Sequence, residues 1–298
     1  MKIPIIFLGT GQAVPTSKRN HSSILLRYKQ EAILFDCGEG TQRQFRKAKI
    51  NPCKLTRLLI THWHGDHVLG VPGLLQTLML NNYSKTLYIY GPKGTRKFFN
   101  LMFKIFVKVG KIKTEVKEIS KGKVFETPEF IIEAEQMQHG TPCLAYSFKE
   151  KDKIRVNKEK IEKLGLKGKL VGELAKGNDI IWNEKVIKAK NYTYKQKGKK
   201  ISIIFDTAFN NNAIKLARDS DLLICESTYS ENEKELAKEY KHLTAKEAGK
   251  IAKKAKIKKL ILTHISQRYE NKEKILLNEA KKEFKKVEIA EDFKKIEL

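Results

Sequence analysis

The run Thr61-His62-Trp63-His64-Gly65-Asp66-His67 places four cation-binding side chains within six residues. It follows directly on the apolar stretch 58–61, which reads as a strand. Residues i and i+2 of an extended chain face the same way, so His62 and His64 can share one ion. Asp66 and His67 then open the next helix and point to a neighbouring position. A single histidine is ordinarily a satisfied core or surface residue, but four ligand types this close together point to metal. Three more candidates close apolar stretches: His139 in Gln138-His139-Gly140, Asp206 after Ile203-Ile204-Phe205, and His264 after Leu260-Ile261-Leu262-Thr263. Taken alone, each reads equally well as a cap or turn residue. Together they supply what two four- or five-coordinate ions still need, and five of the seven histidines fit one site.

Composition bounds the rest. The four cysteines (Cys37, Cys53, Cys143, Cys225) are scattered without a CxxC pair, so metal ligation falls to His, Asp and Glu. Free thiols suit a reducing cytoplasm. The apolar run at residues 3–7 is too short for a signal peptide or a span and reads as a first strand; no other stretch approaches spanning length, which predicts a soluble, cytoplasmic protein with no membrane partner. The net charge of +26 invites a polyanion. Only nine of the 60 basic residues are arginine, and such a lysine bias also arises from genome composition or adaptation to heat. Distribution separates the readings. Residues 149–200 hold 17 Lys and Arg against 7 Asp and Glu, net +10 in 52 residues, while the other 246 share +16. The excess is concentrated, which favours nucleic acid there.

The elements that must position these groups alternate along the chain. Strand-like runs lie at 3–8, 22–28, 32–35, 58–61, 87–90, 130–134, 144–148, 201–205, 222–225 and 260–263. Helical patterns lie at 41–48, 68–79, 95–108, 211–219, 245–254 and 272–284, the fifth opened by a capping box, Thr244 with Glu247. This mixture predicts sheets covered by helices. Residues 149–200 break the rhythm: Lys- and Gly-rich, with one amphipathic piece at 158–164, they read as a protruding insertion.

The ligand pattern, HxHxDH followed by a His, an Asp and a last His, resembles the metallo-β-lactamase superfamily. That resemblance implies an α/β fold, an αββα four-layer sandwich in which the ligands gather at one edge of two sheets. Carried over, one zinc would take His62, His64 and His139; the other would take Asp66, His67 and His264, with Asp206 bridging both. Manganese or iron suits the same donors. Within the superfamily the flanking residues resemble the ribonuclease Z family: Leu8-Gly9-Thr10-Gly11 with Pro15-Thr16-Ser17-Lys18-Arg19-Asn20, Phe35-Asp36-Cys37-Gly38-Glu39-Gly40-Thr41-Gln42, and His64-Gly65-Asp66-His67-Val68-Leu69-Gly70-Val71-Pro72-Gly73. Asp206-Thr207, Glu226-Ser227-Thr228-Tyr229, His242-Leu243-Thr244 and His264-Ile265-Ser266-Gln267-Arg268-Tyr269 complete the set. Two positions depart from it: Cys225 stands where the family commonly has His, and Gly168 is followed by Lys169 rather than Pro.

The resemblance implies an endoribonuclease that removes 3′ trailers from precursor tRNA by a two-metal-activated hydroxide, leaving a tRNA 3′-OH and a 5′-phosphorylated trailer. Asp66 would orient the nucleophile as well as ligate, and His242 would protonate the departing oxygen. As a neighbour of the capped helix, His242 also has a purely structural reading. Arg19 and Arg268 are candidate phosphate contacts, with surface ion pairs the competing reading. The basic insertion, with Lys167 and Lys169, resembles the family's flexible arm, which grips the tRNA body and serves the partner subunit of a homodimer; the plain alternative is a solvated charged insertion. A hydrolase of small substrates (a thioester, a lactone or a cyclic nucleotide) is the rival on the same fold, and it has no use for such an arm.

Overall fold

The computed structural model describes residues 2–105 and 110–298. The end of the helix expected at 95–108 falls partly outside these residues. Two seven-stranded sheets dominate. The first contains β1 (Pro4–Gly9), β2 (Ser23–Tyr28), β3 (Glu31–Phe35), β4 (Arg57–Leu59), β5 (Thr86–Gly91) and β6 (Lys113–Glu118), with the C-terminal β18 (Lys295–Glu297) beside β1. The second contains β7 (Gly122–Glu126), β8 (Phe130–Met137), β9 (Cys143–Glu150), β14 (Lys200–Ile204), β15 (Leu222–Glu226), β16 (Leu260–Thr263) and β17 (Val287–Ile289) in that spatial order. Each sheet is half antiparallel and half parallel: pairing is parallel from β3 to β6 and from β14 to β17.

Period-two alternation builds the layers. On β1 to β3, Ile5, Phe7, Ile24, Leu26, Tyr28, Ile33 and Phe35 face inward and meet Phe130, Ile132, Leu144, Tyr146, Phe148, Ile201 and Ile203 of the second sheet. The intervening Ile6, Leu8, Leu25 and Leu34 face outward beneath Phe45, Leu74, Leu75 and Leu78 of the helices Thr41–Lys47 and Val71–Leu80. On the far side, Ala145, Ile204, Leu223 and Leu262 lie under Ala248, Ile251, Ala252, Leu276 and Ala280 of the helices Ala245–Lys254 and Lys274–Glu283. The metallo-β-lactamase αββα sandwich follows from this arrangement. None of the described helices is long and apolar enough to cross a membrane.

The helix expected at 68–79 is two: Gly65–Val68, then Val71–Leu80. Gly70 at the break lies so close to residue 38 that an added Cβ would sit 2.0 Å from the Gly38 carbonyl oxygen, and Pro72, which lacks an N–H, fits the first turn of the second piece. The strands β6 and β7 were not legible, because at the edges of their sheets they carry Lys and Glu on both faces.

Residues 153–196 form their own small assembly. It comprises the pair β10 (Lys153–Val156) and β13 (Thr193–Gln196), the hairpin β11 (Ile180–Trp182) and β12 (Lys185–Ile187), and the helices Lys158–Lys163 and Lys169–Lys176. Ile161, Leu166, Leu174, Ile180, Ile187 and Ala189 bury against one another there, separately from the sandwich core. The segment is therefore more ordered than its composition suggests.

A carboxylate ties the chain's two ends together. Asp292 accepts hydrogen bonds from the Asn20 amide, Gln44 Nε2 and Thr10 Oγ1, each 2.8 Å. Burial pushes its carboxyl up to about 6 against these donors. A raised carboxyl pKa gives stability that is full below the unfolded value and is lost as pH rises through the folded one. Asp292→Asn should thus gain on the wild type by about 2 kcal/mol between about pH 4 and about pH 7. Urea unfolding at the two pH values measures the gap, and a constant gap would assign Asp292 an ordinary carboxyl pKa.

Candidate metal centre

In both sheets the site residues stand where the parallel strands end, the usual place for function in such sheets. Asp36 follows β3, and Thr61 and His62 follow β4. Asp206 follows β14, Glu226 ends β15 and His264 follows β16. His139 comes from the turn after β8, and His242 precedes the helix Ala245–Lys254. The sheets are joined here by hydrogen bonds from the Leu144 amide to the Thr61 carbonyl and from Tyr146 Oη to the Ile60 carbonyl, 2.9 and 2.7 Å.

All seven side chains singled out from the sequence meet in one cluster. His62, His64, His139 and Asp206 bring ligand atoms within 4.8 Å of one another, and so do Asp66, His67, Asp206 and His264. Asp206 belongs to both groups. Its Oδ2 is 3.5 Å from His62 Nε2 and 3.7 Å from His139 Nε2; its Oδ1 is 3.1 Å from His264 Nε2 and 3.4 Å from His67 Nε2. Asp66 Oδ2 lies 3.3 Å from His67 Nε2 and 3.4 Å from His264 Nε2.

The hydrogen bonds behind the cluster fix which ring nitrogen is free. Asp36 accepts from the Thr61 amide (2.7 Å), Thr61 Oγ1 (2.6 Å) and His67 Nδ1 (2.6 Å). Because the Thr61 hydroxyl donates to Asp36, it accepts from His62 Nδ1 at 3.1 Å. Thr228 repeats the device: its hydroxyl donates to Glu226 Oε2 (2.6 Å) and accepts from His264 Nδ1 (2.9 Å). His139 Nδ1 donates to the Lys241 carbonyl at 3.2 Å. Each of these four rings thereby turns its Nε2 toward the cluster, the orientation a metal requires.

The residues fit such an ion. His62 Nε2, His67 Nε2 and Asp206 Oδ1 are buried and make no hydrogen bond, which is costly for groups without a ligand. Burial opposes charge on His67, yet Asp206, Asp66 and Asp36 outweigh it and push its pKa well above the usual range, so the pocket attracts positive charge. A donor set of imidazoles and carboxylates suits zinc, manganese or iron. Asp36 and His264 adopt left-handed backbone, φ 55° and 58°, a strain that concentrates at functional positions.

His242 stands beside the cluster. Its Nδ1 donates to Glu226 Oε1 at 3.1 Å and lies 4.0 Å from Asp206 Oδ2. Burial pulls the imidazole down, but Glu226 and then Asp206 outweigh it and raise the pKa to about 9, which keeps the ring protonated near neutrality. Glu226 and Asp36 were missed as functional groups from the sequence, although both stand inside motifs noted there.

The seven-ligand cluster on a two-sheet sandwich fits several hydrolases, and comparison with known proteins narrows them. A family profile described as anti-Pycsar protein Apyc1 matches residues 3–148, which stops short of Asp206 and His264. Curated relatives match end to end. Ribonuclease Z of Methanothermobacter thermautotrophicus is 39% identical over 296 residues, covering 99% of this chain and 96% of its own. That of Listeria monocytogenes is 40% identical over 296 residues, 97% of each. The chain belongs to the ribonuclease Z family. Among solved structures, human tRNase Z, short form, superposes with a TM-score of 0.72 at 29% identity over 98% of each chain. The metallo-β-lactamase fold protein YhfI of Bacillus subtilis, at 0.73 and 20% identity over 100% of this chain and 99% of its own, shares the fold.

Against this ribonuclease Z background, four other sequence candidates take definite places. Arg19 requires correction: it is turned inward, with Nη1 donating to the Ala290 carbonyl (2.6 Å) and Thr10 Oγ1 (2.9 Å) and Nη2 pairing with Glu273 at 3.4 Å. It braces the N-terminal loop and is not free for phosphate. Arg268 is half exposed, pairs with Glu233 at 2.8 Å and lies 5.7 Å from the Tyr229 ring, which in turn is 6.0 Å from the His242 ring. Lys167 and Lys169 are exposed and flank Gly168, whose φ of 64° precedes the helix Lys169–Lys176. Cys225, the other family departure, is buried under the outer helices away from solvent.

Proposed function

We propose that this member of the ribonuclease Z family cuts precursor tRNA at the 3′ end of the mature sequence, using two zinc ions. One ion would be held by His62, His64 and His139, the other by Asp66, His67 and His264, with Asp206 shared. The observation that carries this reading is the convergence of those seven side chains, with the Nε2 atoms of His62, His67, His139 and His264 turned inward by bonds from Nδ1 to Thr61, Asp36, the Lys241 carbonyl and Thr228. Bound ions of this kind lower the pKa of water and neutralise charge on phosphoryl oxygens.

The chain's residues supply the remainder. The Asp66 carboxyl is held well below its usual range, because His67 and His264 outweigh its burial, so it stays an acceptor able to orient the attacking water. As the water oxygen gives up one proton to solvent and bonds to phosphorus, the P–O3′ bond breaks and phosphate remains on the 5′ end of the trailer. The departing 3′ oxygen would take a proton from His242 Nε2, while the Nδ1 proton stays on the ring and donates to Glu226, which stabilises it. Arg268, at the rim beside Tyr229, would contact a phosphate next to the scissile one.

His242→Ala should lower kcat by roughly 10²-fold with both ions retained. Metal content by elemental analysis, run beside turnover, separates the roles; parallel loss of metal and turnover would reject a proton donor. The overall reading is tested by incubating labelled precursor tRNA with and without chelator. One chelator-sensitive cut leaving 3′-OH on the tRNA is expected, and no cut in zinc-loaded protein would end the proposal.

The basic segment 149–200 is read as an arm that grips the tRNA body, with Lys167 and Lys169 on its exposed side. The candidate ligand atoms of each group lie within 4.8 Å of one another, a site far smaller than a tRNA, and double-stranded RNA is held through its shape and phosphates at a distance. A homodimer in which each arm serves the partner's site is the corresponding assembly. Exposed Phe98, Leu101 and Ile105, spaced along one face of the helix Thr95–Ile105, offer apolar surface for it.

A further inference from the structure

Glu150 is the last residue of β9 before the chain leaves the sandwich, and it is 8% exposed. Its Oε1 accepts from Tyr28 Oη at 2.8 Å and from Lys153 Nζ at 2.6 Å; Lys153 Nζ also reaches Tyr28 Oη at 3.1 Å. Oε2 faces the returning strand, 3.4 Å from the Lys199 amide. Three bodies meet at this one carboxylate. Tyr28 belongs to the first sheet and is wedged among Phe130 and Phe148 of the inter-sheet core, ring centroids 5.5 and 5.2 Å away. Glu150 belongs to the second sheet, and Lys153 is the first residue of β10 in the inserted segment.

The outgoing and returning chains are in backbone contact beside it. The Glu150 amide donates to the Lys199 carbonyl at 2.8 Å, and a Cβ on Gly198 would lie 1.9 Å from the Glu150 carbonyl oxygen. Asp152 adds hydrogen bonds from the Gly198 amide (2.9 Å) and Lys195 (3.0 Å). Burial would push the Glu150 carboxyl up, and the Lys153 and Tyr28 donors overcome this and hold it below its ordinary value. If the segment swung outward, Lys153 would leave with it and strand a buried carboxylate, so the contact resists rotation.

We propose that Glu150 is a positioning residue: its junction with Tyr28 and Lys153 sets the angle at which residues 153–196 project, and so the span between RNA grip and metal centre. The proposal rests on the arm reading given above. Its consequence is that the base of the arm is held at a preferred angle, so the grip keeps a preferred reach to the metal centre it serves and raises the effective concentration of one phosphodiester over its neighbours.

The test uses the full-length, metal-loaded protein in a Cys53→Ser background. Spin labels are placed at Lys185→Cys on the β11–β12 hairpin and Lys234→Cys on the body, diluted with unlabelled protein so that only distances within one chain are read. One narrow distance distribution is expected, broadened by Tyr28→Phe and by Glu150→Gln and kept narrow by Lys153→Arg. In Tyr28→Phe, KM for precursor tRNA should rise about tenfold and cuts should spread to adjacent nucleotides, with hydrolysis of a small phosphodiester unchanged. Should Glu150→Gln not fold, Lys153→Met breaks the same contact from the partly exposed side. Unchanged narrow distributions in folded variants would overturn the proposal. A broadened distribution with unaltered precursor tRNA kinetics would uphold the junction's control of the angle and instead refute the arm as an RNA grip.

Discussion

Asp206→Ala is expected to purify with both ion positions empty or scrambled and to lose at least about 10⁴-fold in turnover, because without both ions the water pKa returns from about 7 toward roughly 16. No other described residue reaches both ligand groups. Burial alone would raise the Asp206 carboxyl, but the surrounding imidazoles of His264, His67 and His62 hold it well below the usual range, so it meets any cation as an anion. Removal leaves four Nε2 atoms without their shared counter-charge. Elemental analysis of the purified variant is the decisive measurement, with circular dichroism to verify the fold. Two ions retained per chain would rule out a bridging carboxylate.

Removing the inserted segment should separate two activities. Glu150 and Lys199 are already hydrogen-bonded neighbours, so deleting residues 151–197 and placing one Asn before Gly198 closes the gap as an Asn-Gly hairpin. Since residues 153–196 bury their apolar side chains among themselves, the sandwich core keeps its contacts. Loss of a tethered second grip should lower kcat/KM for precursor tRNA roughly 10³-fold. The salt dependence of RNA binding should flatten as phosphate contacts vanish. Hydrolysis of bis(p-nitrophenyl) phosphate should persist, and its disappearance would make the segment structural.

The metal-ligand candidates were legible because ligands need a fixed place at the ends of strands. His62 and His64 declare themselves by spacing; Asp206 and His264 do so by interrupting apolar runs. The capping box of Thr244 and Glu247 is present as read. Glu226 and Asp36 left no such mark, since each accepts a hydrogen bond from a ring nitrogen distant in sequence, and any carboxylate at the end of a buried strand can do that. Arg19 misled for a related reason: its partners Glu273 and Ala290 lie more than 250 residues along the chain, beyond any local pattern. The inserted segment concealed its order because a core of six small and medium apolar residues, spread over residues 161–189, has no sustained period.

The candidate ligands run from position 62 to position 264, and each of the two groups draws residues from both sheets. During synthesis, therefore, neither half of the protein can be armed by itself. On the proposed assignment the first ion would lack an imidazole until His139 is made, and the second until His264 is made. On the proposed assignment, nuclease competence would wait until β16 has docked beside β15 and brought His264 to the cluster.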